Sequence, residues 1–290
     1  MTEQVVTQPG VSIIIPAFDD RLALRQLLVE LHKVLPQPGP VANSAGTDPS
    51  HTEPNHTEPS HTEPSHRRPL AWELIVVEGW SATVAKSDPR TEDLALVNQW
   101  LHSEANRARQ LQTGAQAARF SHLWFLHADT SSIGAAYDWL EHRICCELEA
   151  GERRFWGRFD VRLGSQRLAL RMVAKLMNLR SRWSGICTGD QGLFITGSLL
   201  AEVGGWPDQP LMEDVELSSR LKAIMRPLAP RVALVTSARR WQTHGVFRTI
   251  RLMWRLRWQY FFGVSPEELH ALYNSPGARA AGSRSSGASQ

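Results

Sequence analysis

Two acidic stretches carry the residue types that could do chemistry in this chain. Glu213 and Asp214 stand at the start of a predicted helix, and Asp129 follows the apolar run 123–126, where a buried strand is expected to end. Negative charge is favoured near a helix N-terminus, so the pair could also be a simple helix-start device. A carboxylate at a strand end can hold a metal on a diphosphate, and one at a helix start can accept a proton from an attacking hydroxyl.

Hydrophobic patterning predicts an α/β framework that would bring these carboxylates together. A turn is predicted at 78–81, and alternation over 155–163 predicts one strand with a solvated face. Strands interleaved with helices indicate a mostly parallel central sheet flanked by helices. The strands are predicted at 11–16, 71–77, 122–127, 155–163, 192–195 and 232–235, and the helices at 21–35, 107–119, 137–150, 166–180, 212–225, 247–262 and 266–273.

Composition narrows the class of protein. The chain has 290 residues, 42% of them hydrophobic, which is enough for one large domain with a core. Its net charge is +3. The absence of a long Lys/Arg run argues against a nucleic-acid partner. The chain has three cysteines, Cys145, Cys146 and Cys187. Because their number is odd and two of them are adjacent, they argue against a disulfide framework and favour a reducing compartment. Without a secretory signal or an apolar run of ~20 residues, a cytoplasmic location is expected.

A repetitive segment interrupts the predicted domain. Residues 50–64 contain three consecutive five-residue units that each end in His-Thr-Glu-Pro, and no large apolar residue follows Val41 in this stretch. Such a segment cannot bury enough apolar surface to offset the entropy of ordering it. We therefore predict one domain formed by 1–35 and 70–274, a disordered insertion at 36–69 and a disordered tail at 275–290.

The order of the motifs resembles that of family 2 glycosyltransferases. The opening strand 12–18, the acidic residue in 76–81, the segment 126–130 at the position of the metal-binding D-x-D motif, and Met-Glu-Asp at 212–214 all match that pattern. The resemblance is closer to the arsenosugar-biosynthesis glycosyltransferase subgroup. The chain shares with that subgroup, in order, R-x-x-Q followed by G-A, then F-L-H-A-D-T, G-R-F-D-V-R-L, G-D-Q-G-L-F, L-M-E-D-V-E-L and S-A-R-R-W.

This resemblance implies a GT-A-type nucleotide-diphospho-sugar transferase fold and a metal-assisted, inverting transfer from a nucleotide-sugar donor. The implied cofactor is a divalent cation, Mg²⁺ or Mn²⁺, and the implied acceptor is a small molecule or a lipid. The resemblance makes Asp214 the catalytic base, assisted by Glu213. It implies donor contacts by Pro16, Ala17, Glu78, Arg109, Gln110, Asp129, Arg240 and Trp241, acceptor contacts by Asp190 and Gln191, and metal binding by Asp129 and His244.

Two departures from the family pattern keep other classes of protein open. His127 replaces the first acid of the D-x-D motif, and Thr83 stands where the family often has an acid. A catalytically inactive module that binds sugar nucleotides is therefore one alternative. A peripheral membrane-binding protein at the cytoplasmic face of a membrane is the other, because 247–262 contains four Arg, several aromatic residues and no acid. A helix docked on the domain with its Arg outward would explain that segment equally well. A Rossmann dehydrogenase is disfavoured, since no G-x-G-x-x-G follows a strand.

Overall fold

The computed structural model describes residues 8–36, 70–81, 89–151 and 154–274, without the side chains of Gln8, Pro9, Arg240 and His244. Nearly all of the predicted insertion, and the whole predicted tail, lie outside these residues. The domain boundaries therefore stay predictions.

A six-stranded sheet forms the centre of the molecule, with the strand order β3-β2-β1-β4-β7-β5. The first four strands in that order are mutually parallel, and β7 runs antiparallel to both β4 and β5. Two further strands, β6 and β8, form a small parallel sheet. The strands are β1 Gln8–Ala17, β2 Trp72–Trp80, β3 Gln99–Glu104, β4 Phe120–Phe125, β5 Trp156–Gly157, β6 Asp160–Leu163, β7 Phe194–Thr196 and β8 Ala233–Thr236.

Helices cover both faces of the sheet, as the sequence pattern predicts. Alternate residues of a strand point to opposite faces. Ile13 and Ile15 of β1 therefore pack on one side, with the helices that follow β1 and β4, whereas Ile14 packs on the other side. The helices are α1 Arg21–Val34, α2 Thr91–Leu94, α3 Arg107–Ala117, α4 Gly134–Glu149, α5 Leu168–Ser184, α6 Gly197–Glu202, α7 Glu213–Ile224, α8 Arg239–His244, α9 Val246–Phe261 and α10 Pro266–Asn274.

The prediction of a single strand over 155–163 was wrong. The segment contributes β5 to the large sheet and β6 to the small sheet, with buried Arg158 and Phe159 between them. The Arg158 N–H donates to the Leu228 carbonyl, and the Phe159 N–H donates to the Gln191 carbonyl. These bonds draw the chain out of one sheet and into the other, which buries the β5 part of the expected solvated face while Arg162 of β6 stays exposed.

The structure also differs from the predictions at two other places. The turn predicted at 78–81 is largely strand, because β2 continues to Trp80 and pairs with β3. Strand β3 has the polar sequence Gln-Trp-Leu-His-Ser-Glu, which gives no strand pattern, and it forms as the edge strand beside β2. None of the helices in the described residues is long and apolar enough to cross a membrane.

Candidate active site

The predicted carboxylates come together at the edge of the sheet where β1 and β4 end. Asp129 follows β4, Asp190 lies in the 3-10 turn Gly189–Gln191, and the pair Glu213 and Asp214 begins α7. Asp20, which the sequence motifs did not indicate, follows β1 and joins them. Burial is the main cause that raises the pKa of Asp129 and of Asp190. The charges of Asp20 and Asp190 raise the pKa of Asp129 further, and the charge of Asp214 raises that of Asp190. Ligands of open α/β sheets bind at this edge. The carboxylates therefore form one cluster at the expected ligand position.

Asp129 is a partly buried carboxylate in the turn that follows β4. Burial raises its pKa, and a hydrogen bond of 3.4 Å donated by the Thr236 hydroxyl partly offsets that effect. His127 Nδ1 lies 3.9 Å from Asp129 Oδ1. Burial and the nearby positive charge of Arg107 hold the pKa of His127 well below its usual value. The imidazole is therefore neutral at pH 7 and leaves the charge of Asp129 uncompensated from that side.

The start of α7 holds its two acids in different surroundings. Glu213 is buried, and burial together with the charge of Asp214 raises its pKa to about 7, against a lowering effect of Arg107. Arg107 Nε lies 3.6 Å from Glu213 Oε1. Asp214 is half-buried, and its Oδ2 accepts a hydrogen bond of 2.8 Å from the Gly189 N–H. This bond connects the helix start to the 3-10 turn that carries Asp190.

The predicted acceptor residues lie in that turn. The Gln191 side-chain carbonyl accepts a bond of 3.0 Å from the Thr188 N–H, which caps the turn. Asp190 is a partly buried acid whose pKa burial raises. Among the described residues, neither Asp190 Oδ1 nor Gln191 Nε2 has a hydrogen-bond partner, although both atoms are buried. Buried polar atoms without partners are uncommon, so these two are available to a bound ligand or water.

Sequence reasoning missed three arginines at this cluster. Arg107 begins α3, and a Cβ on Gly189 would lie 2.2 Å from its guanidinium, so a larger residue there would displace the Arg107 side chain. The positive charge of Arg180, on α5, acts on Asp190 and Asp214, and its Nε and Nη2 atoms are buried without partners in the described part of the chain. Arg239 pairs with Asp20. Arg107 is the first residue of the R-x-x-Q motif, whereas no sequence pattern distinguishes Arg180 from the other basic residues of its helix.

Backbone strain is concentrated in the same loops. Among the described non-glycine residues, positive φ angles occur at Asp19 after β1, Ser132 after β4 and Met212 before α7, with values of 52°, 57° and 65°. Such conformations cost of order 1–3 kcal/mol each and persist only where the surrounding structure enforces them. All three residues lie in loops at the same edge of the sheet as the carboxylates.

Most of the predicted donor residues near β1 and β2 make interactions within the protein. Pro16 and Ala17 end β1 beside Val77 and Glu78 of β2. The buried Gln110 amide nitrogen donates to the Ala17 and Val77 carbonyls, 2.8 Å to each, and so ties the two strand ends together. Gln110 thus links the ends of β1 and β2 instead of facing a bound donor.

Two charged members of the predicted donor set, Glu78 and Arg109, are ion-paired. Glu78 accepts a hydrogen bond of 2.9 Å from Arg21. Arg21 therefore already compensates the charge of this acid, for which a nucleotide contact was predicted. Arg109 is exposed and pairs with Asp208 at 2.8 Å. A role in donor binding for either residue would require it to exchange its present partner.

The predicted R-W pair lies in α8. Trp241 is half-buried and packs against the apolar cluster that includes Leu170 and Val173 of α5. This contact gives the indole a structural role. The side chains of Arg240 and His244 lie outside the described part of the structure, so their assignments stay predictions.

A divalent cation fits this donor set only in company with a substrate. In the described residues, no three His, Cys, Asp or Glu side chains gather closely enough to hold a metal ion. Mg²⁺ commonly takes one or two protein carboxylates and completes its coordination with substrate phosphates and water. Asp129, with its raised pKa and its position at the strand edge, suits that mode of binding.

Comparison with known proteins identifies the class of fold. No known family profile and no curated protein matches the chain. The mannosyltransferase PcManGT from Pyrobaculum calidifontis, in complex with GDP-Man and Mn²⁺, is similar with a TM-score of 0.51 and 14% identity over 96% of this chain and 77% of that chain. S. aureus TarS 1–349 in complex with UDP-GlcNAc has a TM-score of 0.50 and 12% identity over 79% of this chain. This protein spans 58% of that TarS chain.

These likenesses define the class of fold. The chain has the GT-A fold of nucleotide-sugar transferases, as its motifs predicted. At 12–14% identity the similarity is one of fold.

Proposed function

We propose that this protein is a family 2 type glycosyltransferase that moves a sugar from a nucleotide-sugar donor to an acceptor hydroxyl, with inversion at the anomeric carbon. The observation that carries the proposal is the carboxylate cluster at the ligand edge of a GT-A fold. Asp129 follows a central strand, and Glu213 and Asp214 begin a helix beside the turn of Asp190. Assignment to the arsenosugar-biosynthesis subgroup rests on the shared sequence motifs alone.

The donor would bind at the ends of β1 and β4, with its diphosphate beside Asp129. A divalent cation held there would neutralise the charge that develops on the departing nucleoside diphosphate. Arg107 lies at the same edge, 3.6 Å from Glu213, and its buried Nε has no hydrogen-bond partner among the described residues. A guanidinium in this position can donate to a phosphate oxygen.

Asp214 would act as the general base. Its Oδ2 is oriented by the Gly189 N–H, and its neighbour Glu213 has a raised pKa. The turn that supplies this N–H also carries Asp190, whose unpartnered oxygen can accept a hydrogen bond from an acceptor hydroxyl. The base would take the proton of that hydroxyl as its oxygen attacks the anomeric carbon and the bond to the diphosphate breaks. A single displacement without a protein nucleophile inverts the configuration.

A panel of nucleotide sugars, each with and without Mn²⁺, tests the proposal. A donor at 100 times its Kd stabilises the folded state by about 2.7 kcal/mol, so a matching donor should raise the Tm by several degrees. Release of nucleoside diphosphate from that donor, with and without candidate acceptors, then measures catalysis. Binding without any release under all conditions would favour the inactive sugar-nucleotide-binding module, and no binding would reject both functions.

The substitution Asp129→Asn tests the metal-linked part of the proposal. It should weaken Mn²⁺-dependent binding of a nucleoside diphosphate in calorimetry, because the amide has lost the negative charge that favours the cation. Asp138→Asn, at an exposed position on α4, is the matched control and should bind as the original protein does. Equal affinity in both variants would remove Asp129 from the metal site.

A further inference from the structure

Helix α5 presents a continuous apolar stripe to solvent. Five of its residues, Leu168, Met172, Leu176, Leu179 and Trp183, have exposed fractions from 56% to 95%. An α-helix turns by about 100° per residue, which places these five within a stripe roughly 80° wide. The residues of α5 that are buried in the molecule lie on the opposite side of the helix. The stripe is therefore an outward apolar face.

Helix α9 has a similar outward face made of aromatic residues. Phe247, Trp254, Trp258 and Phe261 recur at helical spacing, and each is at least 64% exposed. Phe262, just beyond the helix, contacts Trp258 with ring centroids 5.0 Å apart. A soluble helix normally buries such an aromatic stripe against the core.

The two helices lie on the same part of the molecule. Leu170 and Val173 of α5 pack in one apolar cluster with Val246 and Ile250 of α9. Leu256 of α9 packs in another cluster with Met212, which precedes the acids of α7. Ten of the 17 large apolar residues exposed in the described structure belong to this pair of helices and to Phe262. This concentration is larger than the scattered exposure expected on a monomer surface.

The charges carried by these two helices are all of one sign. Helix α5 contains four basic residues and α9 contains four, and neither contains an acid. Since the whole chain has a net charge of +3 and the two helices carry +8, the rest of the chain carries −5. Arg171 and Lys175 border the stripe of α5, and Arg251 and Arg255 border that of α9; all four are exposed.

We propose that the outward faces of α5 and α9 dock on the surface of an anionic lipid bilayer. Aromatic and aliphatic side chains would enter the boundary of headgroups and acyl chains, while the bordering basic residues contact lipid phosphates. A second copy of the chain is a poorer occupant, because a two-fold interface would bring these basic surfaces together. The proposal does not depend on the transferase activity.

Sedimentation with vesicles tests this surface. The full chain should bind vesicles that contain phosphatidylcholine and phosphatidylglycerol, bind phosphatidylcholine alone much more weakly, and lose binding as salt is raised. The double substitution Trp183→Ala with Trp258→Ala should weaken binding at least about tenfold, because it removes two aromatic groups that would be buried in the lipid on binding. Arg251→Gln with Arg255→Gln should weaken it about fivefold per charge.

Leu22→Ser is the matched control, because Leu22 is an apolar residue of α1 with 72% exposure, distant in sequence from both helices. It should bind vesicles like the original protein. All the substituted side chains are exposed, so the Tm of each variant should be unchanged. The proposal is overturned if the protein does not bind anionic vesicles, if the α5 and α9 variants bind as the control does, or if light scattering shows a dimer that these substitutions dissociate and that does not bind vesicles.

Discussion

At the scale of single residues, Glu213 and Asp214 are adjacent in sequence but differ in environment. Glu213 is buried next to Arg107, whereas the half-buried Asp214 is oriented by a backbone N–H of the turn that carries Asp190. Accessibility and orientation favour Asp214 as the group that meets an acceptor. Because the charge of Asp214 contributes to the raised pKa of Glu213, the protonation of Glu213 depends on the charge state of Asp214.

Replacement of Asp214 by Asn should separate catalysis from donor binding. The amide keeps an oxygen that can accept from the Gly189 N–H, so the fold and the donor affinity should survive. Loss of a general base typically lowers the rate ~10²–10⁴-fold. Turnover and donor affinity measured on the same preparation check this expectation. Near-normal turnover would move the base to Glu213 or Asp190, and joint loss of affinity and turnover would place Asp214 in the donor site.

Glu213 should make stability depend on pH in a specific direction. Its pKa is about 7 in the folded protein, against an ordinary value of 4.5, because of burial and the charge of Asp214. Between these pH values the folded state holds a proton that the unfolded chain has lost, so this group lowers stability as pH rises. The full cost, about 3 kcal/mol, is present above pH 7.

The variant Glu213→Gln removes this titration. Its free energy of unfolding in urea should be close to that of the original protein at pH 5 and higher by up to about 3 kcal/mol at pH 8. The pKa of about 7 already includes the lowering effect of Arg107, so this contact does not reduce the expected gain further. A difference that is the same at both pH values would contradict the raised pKa.

At the scale of elements, close packing of α3 on β1 positions the start of α3 at the site. Gly114 faces β1, and a Cβ there would lie 2.4 Å from Ile14 Cγ2. The same helix carries Arg107 at its first position and Gln110 one turn later, where it ties β1 to β2. The absence of a side chain at Gly114 therefore sets how near these groups come to the sheet edge.

Gly114→Ala should destabilise the protein by about 1–3 kcal/mol, because the added methyl overpacks the contact with Ile14. Ala in place of Gly inside a helix otherwise stabilises by roughly 0.5–1 kcal/mol. Gly134→Ala is the control, since a Cβ at this first residue of α4 would meet Val34 Cγ2 at an ordinary 3.8 Å. Urea unfolding of both variants measures the difference, and equal stabilities would show that α3 has room to move.

At the scale of the whole molecule, the repeat segment should be dispensable. We expect that deletion of residues 38–67 changes the Tm by no more than a few degrees and leaves donor binding intact. The reason is compositional, because Pro-rich polar repeats bury little apolar surface. Thermal unfolding and donor titration of the deletion variant check this. A larger fall in Tm together with lost donor binding would show that the segment packs on the domain.

Location in the cell also belongs to this scale, and a cytoplasmic site stays a prediction of the cysteine pattern. The proposed docking surface of α5 and α9 would place the protein at the cytoplasmic face of a membrane. If both hold, Met212 and the acids of α7 lie near the bilayer, because α9 packs on Met212. A lipid acceptor would then reach the site more directly than a dissolved one.

The sequence by itself determined the order of most strands and helices and the class of fold, although it missed β3 and the division of 155–163 between two sheets. The runs 11–16 and 122–127 are continuous and apolar, and a buried parallel strand needs little more than such a local pattern. The acids at 129, 213 and 214 could be chosen because each follows a predicted strand or begins a predicted helix, whereas the choice of Asp190 rests on the resemblance to the family's motifs. These are short-range features, and they survive folding almost unchanged.

Only the tertiary structure decided which other residues join them. Arg107 and Arg180 reach the acids because α3 and α5 pack close to the same sheet edge, and no local pattern encodes that approach. Strand β3 forms because β2 offers it hydrogen bonds, despite its polar sequence. The segment 155–163 divides between two sheets because its backbone groups bond to Leu228 and Gln191, which are distant in the chain. Pairing between distant segments depends on their positions in the folded molecule, which the local sequence pattern does not contain.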